Sequence, residues 1–103
     1  MQVMVRYTFR PERVDESVAL LHAVHADLER ARPRGQRYET CRLDGSGSFP
    51  ALITSDGDPV AAPHHQLASF HRYLAALSEV CSEQPVATCV DEVGSYRPWE
   101  TWA

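Results

Sequence analysis

The feature that most limits this chain is a count: two stretches of helical periodicity lie among four extended runs. Two helices cover one side of a four-stranded sheet and no more. The first run, Gln2–Phe9, alternates, with Val3, Val5, Tyr7 and Phe9 on one side and Met4, Arg6 and Thr8 on the other. Arg10-Pro11 ends it, because proline has no N–H to give a ladder. Glu12–Ala31 then reads as a long helix. Its start is acidic (Glu12, Asp15, Glu16) and its end basic (Arg30, Arg32), the order the helix dipole favours. Pro33 and Gly35 stop it. Val14, Ser17, Val18, Leu21, Val24, His25 and Leu28 share the inner face, and Arg13, Glu16, Ala23 and Arg30 look outward.

Gln36–Leu43 is the second strand. Asp44-Gly45-Ser46-Gly47 marks a hairpin turn, and Ser48–Ser55 returns. Pro50 inside that return predicts a bulge or a locally unpaired position. Asp56–His65 is a loop rich in Asp, Gly and Pro. Gln66–Ser82 is the second helix, with Leu67, Phe70, Tyr73, Leu74, Leu77 and Cys81 inward. Val86–Tyr96 is the last strand, and Arg97–Ala103 is a tail holding Trp99 and Trp102. The order β-α-β-β-α-β predicts an α+β, ferredoxin-like domain spanning residues 1–103: a four-stranded antiparallel sheet with both helices on one face. Strands one and four are apolar on both sides, so the uncovered face needs a partner. A second copy of the same sheet is the expected one, with the Trp-bearing tail docking on it.

Composition excludes several classes of function. The net charge is −4, from 10 Lys plus Arg against 14 Asp plus Glu, which argues against nucleic acid or an anionic membrane as partner. No apolar run approaches the ~20 residues that cross a bilayer, and the start, MQVMVRYTF, lacks a signal-peptide layout. Three cysteines, Cys41, Cys81 and Cys89, with no CxxC, suit a reduced cytoplasmic protein. They are expected to be buried structural thiols. No GxSxG, P-loop or GxGxxG is present.

The element order, the opening VMVRYTFRPERVDES, the hairpin segment YETCRLDGSGSFPALITSDGD and the run LASFHRYLAALSEVC leading to VGSYR resemble the antibiotic biosynthesis monooxygenase superfamily, the dimeric α+β barrels. The likeness covers nearly the whole chain and is greatest to small actinobacterial-type members. It implies a homodimer with a small-molecule cavity between helices and sheet in each subunit. Some relatives oxygenate phenolic polyketides without metal or flavin; others degrade haem, cyclise or isomerise. A histidine on the second helix holds iron in the haem-degrading relatives. Here His71 stands on that helix, but the first strand has no Asn and the third no Trp, so no haem is expected.

Among the residues themselves, His25 stands out. It lies within roughly 40° of Leu21 on the apolar stripe, where an imidazole must find a partner or line a wet cavity. It is the expected base, and a satisfied core histidine is the alternative. Tyr7, Tyr38, Phe49, Phe70 and Tyr73 are the expected substrate-binding rings, and packing of the core is the plainer role for each. His22 reads as a boundary residue. His64 and His65 read as a solvated loop pair. No metal site is expected, because no carboxylate joins His22 and His25 on their stripe. Arg6 is expected to pair with Glu39, and Arg97 with the dimer seam. The function expected is oxidoreductase chemistry in antibiotic or polyketide biosynthesis: a cofactor-free monooxygenase acting on an aromatic substrate. A cyclase or isomerase in the same cavity and a non-catalytic binding dimer are the alternatives.

Overall fold

The computed structural model describes residues 1–57 and 62–96. The tail with Arg97, Trp99 and Trp102, and positions 58–61 of the loop, lie outside the described residues. The elements are β1 (Gln2–Thr8), α1 (Val14–Ala31), β2 (Gln36–Thr40), β3 (Ser48–Ser55), α2 (Ala68–Val80) and β4 (Val86–Val90). They form an antiparallel sheet in the order β2-β3-β1-β4, the ferredoxin-like arrangement.

The sequence dictates most of these boundaries. Pro11 opens a single 3-10 turn, Pro11–Arg13, so α1 begins at Val14 and not at Glu12. Arg32 ends α1 in the left-handed conformation (φ 45°), and its N–H reaches Leu28 O at 2.8 Å. Gly45 (φ 66°) makes the hairpin turn. At Gly47 a Cβ would meet Phe9 O at 2.6 Å, and the Gly47 carbonyl accepts Phe9 N–H at 2.8 Å.

Three strand ends differ from expectation. β1 stops at Thr8, and Phe9 instead forms an isolated bridge with Cys81 at the end of α2. β3 pairs residue for residue with β1 through Arg6↔Pro50, so Pro50 makes no bulge. Its missing N–H falls on the β2 side: Cys41 donates to Pro50 O at 2.9 Å and cannot be answered, so β2 stops at Thr40 and not Leu43. β4 stops at Val90 and not Tyr96, because Val90 pairs with Gln2, where β1 begins.

Tyr7, Phe9, Val14, Leu21, Val24, Phe49, Ala51, Phe70, Tyr73, Val80 and Cys81 form the core between sheet and helices. Ser17 fits the apolar face because its hydroxyl donates to Arg13 O at 2.8 Å. Val18, His25 and Leu28 are half-buried on that face, as are Arg13 and Ala23, which were expected outside. Leu74, expected inside α2, is exposed; Ser69 and Val80 take the inner positions. The helices do not reach β4, which is exposed on both faces apart from half-buried Val90. Cys89 on that strand and Cys41 beyond β2 are therefore exposed, contrary to expectation, and only Cys81 is buried. On the helix-free face Met4 is 39% and Val86 50% exposed. Glu39 pairs with Arg37 at 3.1 Å, in place of the expected partner Arg6.

Candidate functional site

His25, six residues before the end of α1, turns toward β2. Its Nε2 lies 2.9 Å from Thr40 Oγ1, and its ring meets Tyr38 edge-on at 5.2 Å. Thr40 and Tyr38 are alternate residues of β2 and so share the face beneath the helix. When Nε2 donates to the threonine hydroxyl, Nδ1 keeps a free lone pair. Burial, and then the nearby His22, push the His25 pKa below its usual value. The ring is therefore neutral near pH 7.

Two clefts flank His25. One, of about 370 Å³, runs between the end of α1 and β2 and is lined by His25, Leu28, Pro33, Gln36 and Tyr38, with Glu29 and Arg32 at its rim. That volume lies at the lower end of the roughly 300–1,000 Å³ typical of small-molecule sites. The rim residues pair with each other, Arg32 to Glu29 at 2.8 Å. The other cleft, of about 280 Å³, is lined by His25, Leu21, Thr40, Cys41 and Phe49 among others. Arg42 lies over the Phe49 ring at 5.4 Å.

Behind these clefts runs a chain of rings. Tyr38 meets His64 edge-on at 5.2 Å, His64 meets Phe70 at 4.7 Å, and Phe70 leads to Tyr73, Tyr7 and Phe9. Tyr7, Phe49, Phe70 and Tyr73 are each at most 5% exposed. Of the rings expected to bind substrate, the structure thus places Tyr38 and Phe49 on the clefts and the other three within the core.

The polar atoms at this level are unusual. Tyr38 Oη, Tyr73 Oη, Gln36 Oε1, Ser55 Oγ and Ser69 Oγ are buried without a well-formed hydrogen bond among the described residues. Each such atom costs about 1–3 kcal/mol unless something satisfies it. Tyr38 Oη lies beside the Tyr7 hydroxyl. Burial, followed by the neighbouring Cys81, raises Tyr7 to about 12. Burial likewise pushes Tyr38 and Tyr73 well above the ordinary tyrosine value, with the neighbouring tyrosines adding to it. All three are O–H donors at neutral pH.

His64 departs most from expectation. It is 3% exposed and not a solvated loop residue. A 3-10 turn, Pro63–Gln66, tucks it under Tyr38 and Phe70, where the Gln36 Nε2–H donates to its Nδ1. Burial, then the adjacent His65, lower its pKa to about 4. His65 is half-buried, His22 exposed, and His71 on the outer side of α2 lies 2.6 Å from the His65 carbonyl. No three His, Cys, Asp or Glu side chains are placed to hold a metal ion among the described residues. No helix among them is long and apolar enough to cross a membrane.

No family model and no curated protein sequence matches the chain. Solved structures do. Rv0793 from Mycobacterium tuberculosis aligns with a TM-score of 0.73 at 20% identity, over 90% of this chain and 97% of that one. A protein of Caulobacter crescentus, provisionally named an antibiotic biosynthesis monooxygenase, aligns at 0.74 and 19% identity over 90% and 89% of the two chains. One from Bacteroides thetaiotaomicron with the same provisional name reaches 0.77 at 16% identity, over 90% and 89%. At such identities the likeness is one of fold. The chain shares its fold with these proteins, several of which carry the provisional name antibiotic biosynthesis monooxygenase.

Proposed function

We propose that this protein is a small-molecule enzyme of secondary metabolism, a cofactor-independent monooxygenase acting on an aromatic, polyketide-like substrate in the cleft between α1 and β2. The observation that carries this reading is His25: a neutral imidazole, oriented by Thr40 and standing on the cleft wall beside the Tyr38 ring. A neutral histidine with a free lone pair is a base at physiological pH. In the proposed reaction His25 takes a proton from an acidic C–H of a phenolic ketone. The delocalised carbanion adds dioxygen and is protonated to a hydroperoxide. Loss of water then leaves a carbonyl. The substrate supplies every electron, so no external reductant enters. The cleft contributes orientation and partial exclusion of water.

The reading includes a homodimer with the helix-free faces together, supported by exposed Met4 and Val86 and by half-buried Leu52 between β1 and β2. The unpaired thiols of Cys41, Cys81 and Cys89 support a reducing, cytoplasmic setting. The test measures oxygen uptake and product mass with an anthrone. His25→Ala is expected to lower turnover by roughly 100-fold or more while light scattering still finds a dimer. Product formed without oxygen uptake would instead mean a cyclase or isomerase. Binding without turnover would mean an accessory dimer. Wild-type turnover per folded His25→Ala molecule would remove the histidine from the chemistry.

A further inference from the structure

The smaller cleft, on the other side of His25, has a lining that the proposed reaction does not use. Val18, Leu21 and Phe49 give it an apolar floor; Thr40, Arg42 and His22 are its polar groups, with Cys41 beside them. No carboxylate lines it, although the chain as a whole carries a net charge of −4. Arg42 stands there because the hairpin keeps the strand alternation past the end of β2. Cys41 N–H reaches Pro50 O at 2.9 Å and Leu43 N–H reaches Ser48 O at 3.0 Å, so Arg42 stays on the Thr40 side. Its guanidinium is held twice: Nε donates to Ser46 O at 2.8 Å, and Cζ lies 5.4 Å from the centre of the Phe49 ring. Neither contact neutralises the charge. Among the described residues no carboxylate pairs with Arg42, and its two terminal nitrogens have no acceptor. Asp15 shares with it only the separate cleft beside the hairpin turn. The result is a planar fork of N–H donors, fixed in orientation, at the edge of an apolar floor. Thr40 adds a donor. When its oxygen accepts from His25 Nε2, its own O–H is free to turn into the cleft it lines.

We propose that the smaller cleft is a binding site for a small carboxylic acid, its carboxylate on Arg42 and its apolar body on Val18, Leu21 and Phe49. The terminal N–H groups of the guanidinium hold the carboxylate oxygens side by side, and the Thr40 hydroxyl donates to one of them. The cleft measures about 280 Å³, below the range of sites for larger ligands, so the apolar body is no bigger than one aromatic ring. Phosphate suits the cleft less well, because a single fixed cation faces a floor that gives its remaining oxygens nothing. The site stands apart from the larger cleft and from the reaction proposed there.

The experiment uses benzoate, its neutral counterpart benzamide, and inorganic phosphate. Cys41 on the cleft wall reports where they bind, and Cys89, equally exposed but on β4, is the internal control. Iodoacetamide labelling is followed thiol by thiol by mass spectrometry as each probe is titrated in. Benzoate is expected to slow labelling of Cys41 and leave Cys89 unchanged, and to bind about tenfold more tightly than benzamide. Arg42→Gln brings that ratio close to one. Arg72→Gln, which removes the same charge from an exposed position of α2, leaves it standing. Thr40→Val weakens benzoate about fivefold. Arg42 and Arg72 are both exposed, so neither substitution threatens the core. Equal protection by benzoate and benzamide overturns the inference, as does a ratio unchanged in Arg42→Gln or lost equally in Arg72→Gln. Protection by phosphate as strong as that by benzoate, or no protection of Cys41 at all, also overturns it. Unchanged affinity in Thr40→Val overturns the part given to the threonine. None of these outcomes depends on oxygen uptake, so a failure here is distinct from a failure of the reaction proposed for the larger cleft.

Discussion

The layer between helices and sheet is built in two ways at its two ends. Where β1 leaves the sheet, Phe9 packs on Phe49 at 5.0 Å and on Tyr7, with Val14, Val80 and Cys81 closing round it. The backbone is sewn shut there: Arg10 N–H reaches Val80 O at 2.8 Å and Ser82 N–H reaches Thr8 O at 2.9 Å. At the β2 end, the same depth holds Gln36, Tyr38, Ser55 and His64, and four of the five unpartnered buried polar atoms belong to residues at or near that end or to Ser69 in the first turn of α2. Tyr73, 0% exposed, bridges the two. One end is optimised for packing. The other retains polar groups for which the described residues supply no partner, the pattern of a site.

The largest expected effect breaks the closed end. Phe9→Ala removes a ring that is 1% exposed and should cost about 3–5 kcal/mol, read as a shift of the urea midpoint at unchanged slope. A loss below about 1 kcal/mol would show that this end is as loosely built as the other.

The next tests the open end through pH. His64 has a folded pKa of about 4 against an ordinary 6.5, so the folded state prefers the neutral ring. Its stabilising contribution is complete above pH 6.5 and falls away as the pH drops from 6.5 toward 4. At about 1.4 kcal/mol per unit, roughly 3 kcal/mol is lost across that window. His25, lowered in the same direction, adds to the slope. Denaturant titrations from pH 7 to pH 4 should show this loss, and His64→Phe should flatten most of it. A flat wild-type profile would mean that His64 titrates as it does in water.

The smallest effect sharpens the boundary between the ends. Tyr73→Phe deletes a buried hydroxyl without a partner and should leave stability unchanged or raise it by up to about 1 kcal/mol. Calorimetry would then show a melting temperature higher by no more than about 8 °C. A clear fall would show that the hydroxyl is satisfied and that Tyr73 belongs wholly to the packed end.

Local pattern carried the architecture a long way. Period-two alternation marked Ser48–Ser55 to the residue, and the helical stripe picked out Val14, Ser17, Leu21 and Val24. What it missed depends on partners distant in sequence. Val86–Tyr96 looks like one long strand, yet only five of its residues meet β1. His25 could be placed on a face, but not beside Thr40, because that contact joins helix to strand. His64 was invisible for a similar reason: a histidine pair after proline looks solvated until Gln36, Tyr38 and Phe70 are seen around it. The one available hint was Pro63, which suits the first position of a helical turn.

Pro50 has a consequence for how the chain finds its pairing. In the native register its absent N–H faces β2 at Cys41, beyond the last full rung, where little is forfeited. Were β3 to slip by one residue, the gap would turn toward β1, into the middle of the sheet. Phe49, Ala51 and Ile53 would turn to the helix-free side at the same time. The proline thus penalises the wrong alignment twice and the right one hardly at all. A residue that reads as a defect in a central strand works as a proofreading device during folding, and Pro50→Val should fold to a less uniquely registered sheet even where it adds a hydrogen bond.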